Sequence, residues 1–163
     1  MHVGQVVVAW ASIERLLDLL ISLDVGTGGR EAGRKPKQSL SGKIRLLGEA
    51  IRSDSILAPF ADDIRPVLDL VGRHKDDRHR LAHGMVLRFL TEAPGGVEIH
   101  RIILGFENTE TVTLTTPELE GMVPAAEGIA QALIALFPRL APEVERRQRA
   151  RGVLGPDATI AVP

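Results

Sequence analysis

The 163 residues set 20 Lys and Arg against 21 Asp and Glu, so no whole-molecule field draws in a polyanion, and any nucleic-acid site has to be local. Hydrophobic residues make up 44% of a chain with one Trp, four Phe and no Tyr, which predicts one domain with an aliphatic core. The absence of cysteine excludes disulfides and thiolate metal sites and fits a reducing, cytoplasmic setting.

Val6, Trp10, Ile13, Leu17, Leu20 and Ile21 recur at three- and four-residue steps, with Glu14, Arg15 and Asp18 between them. This predicts an amphipathic helix over Val3 to Leu23. The run Val6 to Trp10 has no basic region before it and soon meets Glu14 and Arg15, which does not fit a secretory signal. Asp24 to Gln38, rich in glycine and basic residues, reads as a loop. Ser39 or Ser41 then caps a second helix that carries Ile44, Leu47 and Ile51 on one face and stops near Arg52. Asp62 or Asp63 caps a third, with Pro66 tolerated in its first turn, where amides have no intrahelical partner. Ile64, Val67, Leu68, Val71 and Leu81 mark its buried side, and Gly84 ends it.

Met85 to Thr91 and Val97 to Phe106 are β-branched and aliphatic and flank the turn sequence Ala93-Pro94-Gly95-Gly96, which predicts a hairpin. Thr109 to Thr115 supplies a third strand with one wet face. Thr116-Pro117-Glu118 opens a helix by the N-terminal rules, with Leu119, Ile129, Leu133, Leu136 and Phe137 on its apolar side and a kink at Pro124. Glu143 to Arg151 reads as a short charged helix, and Gly152 to Pro163 as frayed. Ile129 to Phe137 is interrupted by Gln131 and falls short of the roughly 20 residues a membrane span requires, so no membrane partner is expected. The expected architecture is mainly α: an up-and-down bundle of four to five helices over residues 1–140, with a small antiparallel β insertion at about 85–115 between the third and fourth helices. Residues 141–163 are expected to form a charged, partly disordered tail.

The segment from Arg73 to Gly84 concentrates the chemistry, placing three of the five histidines among several arginines. Arginine offers phosphate a planar, permanently charged fork, and histidine exchanges a proton near neutral pH, so together they suit a phosphodiester. A structural explanation stands beside this one. Asp76 and Arg80 can pair at i,i+4, and the helix dipole favours a protonated histidine near a C-terminus. In a third, His79 and His83 bind a metal with Asp76, against the repulsion of the adjacent arginines. Gly26-Thr27-Gly28-Gly29 lacks the strand and lysine of a phosphate loop, and Ser41-Gly42-Lys43-Ile44 lacks the hydroxyl after lysine. No Gly-x-Ser-x-Gly or His-Glu-x-x-His pattern occurs. The basic run Arg146 to Arg151 fits a solvated face better than a phosphate contact. His2 and His100 read as incidental.

Arg78-His79-Arg80-Leu81-Ala82-His83 resembles the signature of the HEPN superfamily: an arginine, a polar residue after it, and a histidine after four intervening positions. Its place at the end of a long amphipathic helix, followed by Gly84, is also typical of that family, and the resemblance covers about Val3 to Leu140. It implies a helical bundle and a metal-independent endoribonuclease without cofactor. Arg78 would bind the scissile phosphate and stabilise transition-state charge, His83 would be the general acid or base, and His79 would orient them. Arg73 and Arg80 would add RNA contacts. The nucleophile would be the RNA's own 2′-OH, which DNA lacks.

Five residues along a helix turn through about 140°, so Arg78 and His83 do not share a face unless the helix ends or unwinds between them. The resemblance therefore implies a homodimer in which two copies of the motif line one cleft. Some members are toxins or defence components silenced through a Tyr two positions after the histidine. Met85 stands there in this chain, so an antitoxin would have to act by direct binding. The alternative is a noncatalytic dimeric HEPN-like module that holds protein or RNA.

Overall fold

The computed structural model describes residues 2–28, 39–83, 85–87, 96–101 and 110–154. The protein is mainly helical. Helix α1 spans His2–Gly26, and Val6, Trp10, Ile13, Leu17, Leu20 and Ile21 are all buried along it, as their spacing predicts. It runs past the expected end at Leu23 because the last turn is satisfied locally: the Thr27 hydroxyl donates to the Leu23 carbonyl at 2.8 Å, and Asp24 is buried. Gly28 follows with φ +88°, a left-handed conformation that favours glycine after a helix, and a Cβ there would come within 3.2 Å of the Arg151 guanidinium. The rest of the expected loop, residues 29–38, lies outside the described residues.

Helix α2, Leu40–Ala50, starts as its sequence dictates. Ser39 has extended backbone and its hydroxyl accepts from the Gly42 N–H at 3.2 Å, which satisfies one orphan amide of the first turn. Leu46, Leu47 and Ala50 face the core. A 3-10 turn, Ala58–Phe60, leads straight into α3, Ala61–His83, so Asp62 and Asp63 lie inside the first turn instead of capping it. There they still meet the positive end of the helix dipole. Ile64, Val67, Leu68 and Val71 are buried; the Leu81 side chain and Gly84 lie outside the described residues.

Three short segments follow: β1 (Met85–Leu87), β2 (Gly96–Arg101) and β3 (Glu110–Thr115). They pair antiparallel in chain order, with Met85 opposite His100 and Ile99 opposite Val112. The linking residues, including the expected turn at 93–95, lie outside the described residues.

Helix α4, Thr116–Ile134, continues through Pro124. Two turn residues, Ala135 and Leu136, separate it from α5, which occupies Phe137–Ala150 with Pro138 in its first turn, where a missing amide costs nothing. The charged helix expected from Glu143 thus begins earlier. Phe137, Leu140 and Val144 are buried, so a domain boundary at 140 would cut a core helix, and residues 141–150 are packed structure. Residues 155–163, expected to be loose, lie outside the described residues. By length and composition 120–150 is apolar enough to cross a membrane, a property hidden by the single Gln131 and produced by the lack of any charge between Glu127 and Arg139. Its residues Ala126, Ile129, Leu133, Leu136 and Leu140 are buried within the bundle.

α1 packs chiefly along α4 and touches α2 and α3 at its sides. The core is a single cluster in which Trp10 and Phe137 are the aromatic members among aliphatic residues. This arrangement sets the middle of α1, the start of α2 and the last turns of α3 side by side.

Candidate functional site

A cleft of about 470 Å³ opens where those three helices meet. Lys75, Arg78 and His79 line it because i, i+3 and i+4 share a helix face, and Asp76 lies at its edge. Ser39 and Ser41 border it from the start of α2, and Glu14 closes it from α1.

Arg78 forms an ion pair with Glu14, Nη2 facing Oε1, and the two side chains are 24% and 21% exposed. The other carboxylate oxygen of Glu14, Oε2, faces the Lys43 ammonium at 3.9 Å. Lys43, with its side chain only 7% exposed, in turn donates to Asp18 at 2.7 Å. Four charges from three helices therefore alternate in sign: Arg78, Glu14, Lys43, Asp18. Partial burial raises the worth of each contact relative to open solvent and equally the cost of leaving one member alone.

Local sequence explains the placement. Glu14 is four residues after Trp10 and three before Leu17, which puts it on the apolar stripe of α1 and not among its wet residues. Lys43 precedes Leu46 by three and Leu47 by four and is likewise on the buried face of α2. An ionised group at such a position needs a partner of opposite charge. That pattern, an ionisable residue within an apolar stripe, was available in the sequence for both, but spacing does not say which helices supply the partners.

Of the site residues expected from sequence, Arg78 and His79 come together in the cleft. Arg73 is exposed on α3 and does not line it, since five residues separate it from Arg78 and turn it about 140° away. The backbone of Arg80 and His83 belongs to α3, and their side chains lie outside the described residues, as does the Asp76–Arg80 pair. Among the described residues no three His, Asp or Glu side chains are grouped to hold a metal.

The basic C-terminal run is engaged in internal contacts. Arg146 and Arg147 both bind Glu143, at 2.6 and 3.0 Å, and Arg147 also reaches Asp54 at 3.0 Å. The hydrogen bond from Arg146, helped by that from Arg147, holds the Glu143 carboxyl below its ordinary range. Arg151 donates to the Gly26 carbonyl at 3.0 Å. Arg139 pairs with Asp63 at 2.8 Å over the Phe60 ring, and its hydrogen bond lowers the Asp63 carboxyl in the same way. These arginines tie helices and turns together on α5, apart from the residues that line the cleft.

Compared with family models, curated proteins and solved structures, the chain gave no match.

Proposed function

We propose that the protein is a HEPN-type, metal-independent endoribonuclease whose site is the cleft between α1, α2 and α3. The observation that carries the reading is that Arg78, the arginine of the HEPN-like motif, lines an open cleft beside Lys75 and His79. In this reading Arg78 holds the scissile phosphate. A base removes the proton of the 2′-OH, the 2′-oxygen attacks phosphorus, and the P–O5′ bond breaks as an acid protonates the leaving oxygen, giving a 2′,3′-cyclic phosphate and a 5′-OH. His83 supplies the acid–base group and His79 orients it.

A twofold dimer completes the site, because one helix turns Arg78 and His83 about 140° apart and a second copy can bring its own His83 to the first copy's cleft. The up-and-down order of the bundle and a single β insertion over about 85–115 belong to the same proposal, as do a cytoplasmic location and an antitoxin that acts by direct binding.

The test is RNA cleavage in the presence of a chelator. His83→Ala and Arg78→Ala should each lower the rate by roughly 100-fold or more. Wild type and His83→Ala equally inert on diverse RNAs, or equally active, would remove the catalytic assignment.

The charge network favours a second reading. Arg78 is already compensated by Glu14, which suits a noncatalytic HEPN-like module that holds RNA or protein in the cleft. Arg78→Ala would then weaken binding, and no RNA product would form with the wild type.

A further inference from the structure

We infer that Glu14 is a positioning residue for Arg78, itself held in place by Lys43, within the RNA-binding cleft proposed above; the inference rests on that reading. The two carboxylate oxygens of Glu14 divide their work: Oε1 faces Arg78 and Oε2 faces Lys43. The Lys43 ammonium, 3.9 Å from Oε2 and 3.5 Å from the Glu14 backbone carbonyl, attracts the carboxylate without a hydrogen bond to it and so favours its position beside the guanidinium. Lys43 is fixed in its turn, because its ammonium is nearly buried and hydrogen-bonded to Asp18 at 2.7 Å.

Packing alone does not call for this arrangement, since an apolar residue of similar volume would fill the stripe of α1 at position 14 as well or better. What the pair provides is order. An arginine side chain loses rotamer freedom when it binds a ligand, and one already fixed against a carboxylate has less to lose. The guanidinium is a rigid planar fork, so holding Nη2 at Glu14 limits the orientations the group can take in the cleft it lines. The Lys43 ammonium lies 3.9 Å from the same carboxylate but bonds Asp18 at 2.7 Å, so the network is neutral as a whole, and Glu14 orients Arg78 while offsetting part of its charge.

The position of Glu14 predicts that its effect passes through Arg78. The experiment is a double-mutant cycle over Glu14→Gln and Arg78→Ala, read in two ways: RNA cleavage with chelator present, and binding of a 2′-O-methyl RNA oligonucleotide, which cannot be cleaved by 2′-OH attack. Retained folding is checked by the fluorescence of the single Trp10, which is buried in α1. Glu14→Gln should lower kcat/KM about 10- to 100-fold and weaken oligonucleotide binding about tenfold. In the Arg78→Ala background the same change should have an effect of about twofold or less in either readout.

Multiplication of the two losses, or a folded Glu14→Gln protein that cleaves and binds like wild type, overturns the inference. A wild type that binds the oligonucleotide but cleaves no RNA overturns the ribonuclease reading alone, and the binding cycle then decides for Glu14. A wild type that does neither overturns both. If Glu14→Gln fails to fold, Glu14→Asp, which keeps the charge but withdraws it from Arg78, carries the same cycle with the same expectations.

Discussion

Replacing Lys43 by Met removes an ammonium from the centre of the charge network while keeping most of the aliphatic stem that packs under α1. The ammonium is nearly buried and bonds Asp18 at 2.7 Å, and a hydrogen bond between charged groups is worth about 1.5–3 kcal/mol. Asp18 is 49% exposed and regains water when its partner goes, which moves the expected cost toward the lower end. Glu14, at 21% exposure, recovers less solvent and stays paired with Arg78. A net loss of about 2 kcal/mol follows, or a fall in Tm of about 4–8 °C for a chain of this size. Urea unfolding followed by Trp10 fluorescence measures it. Asp18→Asn alone and in combination with Lys43→Met should give a coupling of about 1 kcal/mol. A Lys43→Met protein with the wild-type urea midpoint, or a higher one, would mean that desolvating the ammonium costs as much as its contacts return.

Ser39→Ala should cost about 1 kcal/mol by exposing the Gly42 amide at the start of α2, while Ser41→Ala, which removes no cap, should leave the urea midpoint near wild type. The Glu143 carboxyl is held low chiefly by the Arg146 hydrogen bond, and a group depressed in the folded state gives stability that is full above its unfolded pKa, about 4.3, and is lost as pH falls through the folded value. The urea midpoint should therefore drop below about pH 4.3, and Glu143→Gln should flatten that acid limb. An unchanged acid limb in Glu143→Gln would show that the arginine contacts on α5 contribute nothing to stability.

Much of the helical plan is legible from local chemistry. The three- and four-residue spacing of α1, the Ser39 cap and the Thr116-Pro117 start of α4 each depend on neighbours within a turn or two. The start of α5 is less legible, because it is fixed from a distance: Leu140 and Val144 find their partners in the core. Pro138 sits where the first turn tolerates it, and α5 continues through Pro142. At the candidate site the sequence pointed to Arg78 and His79, since their spacing is contained in one helix. It placed Glu14 and Asp18 among wet residues and set Lys43 aside with a failed phosphate motif. A pair formed between helices leaves no fixed interval in the chain, so the partner of each half is not readable from its spacing.

The packing of α1 against α4 has a consequence for how the chain is made. The apolar face of α1 is complete once Gly26 is added, yet its main covering helix begins at Thr116. At about 5–20 residues per second, a ribosome takes roughly 5–20 s to reach the start of that cover. For those seconds the first helix carries Val6, Trp10, Ile13 and Leu17 without the α4 surface that buries them in the finished fold. Newly made chains are then a natural target for chaperones, and slowing synthesis between α1 and α4 would raise aggregation before it changed the stability of the native protein.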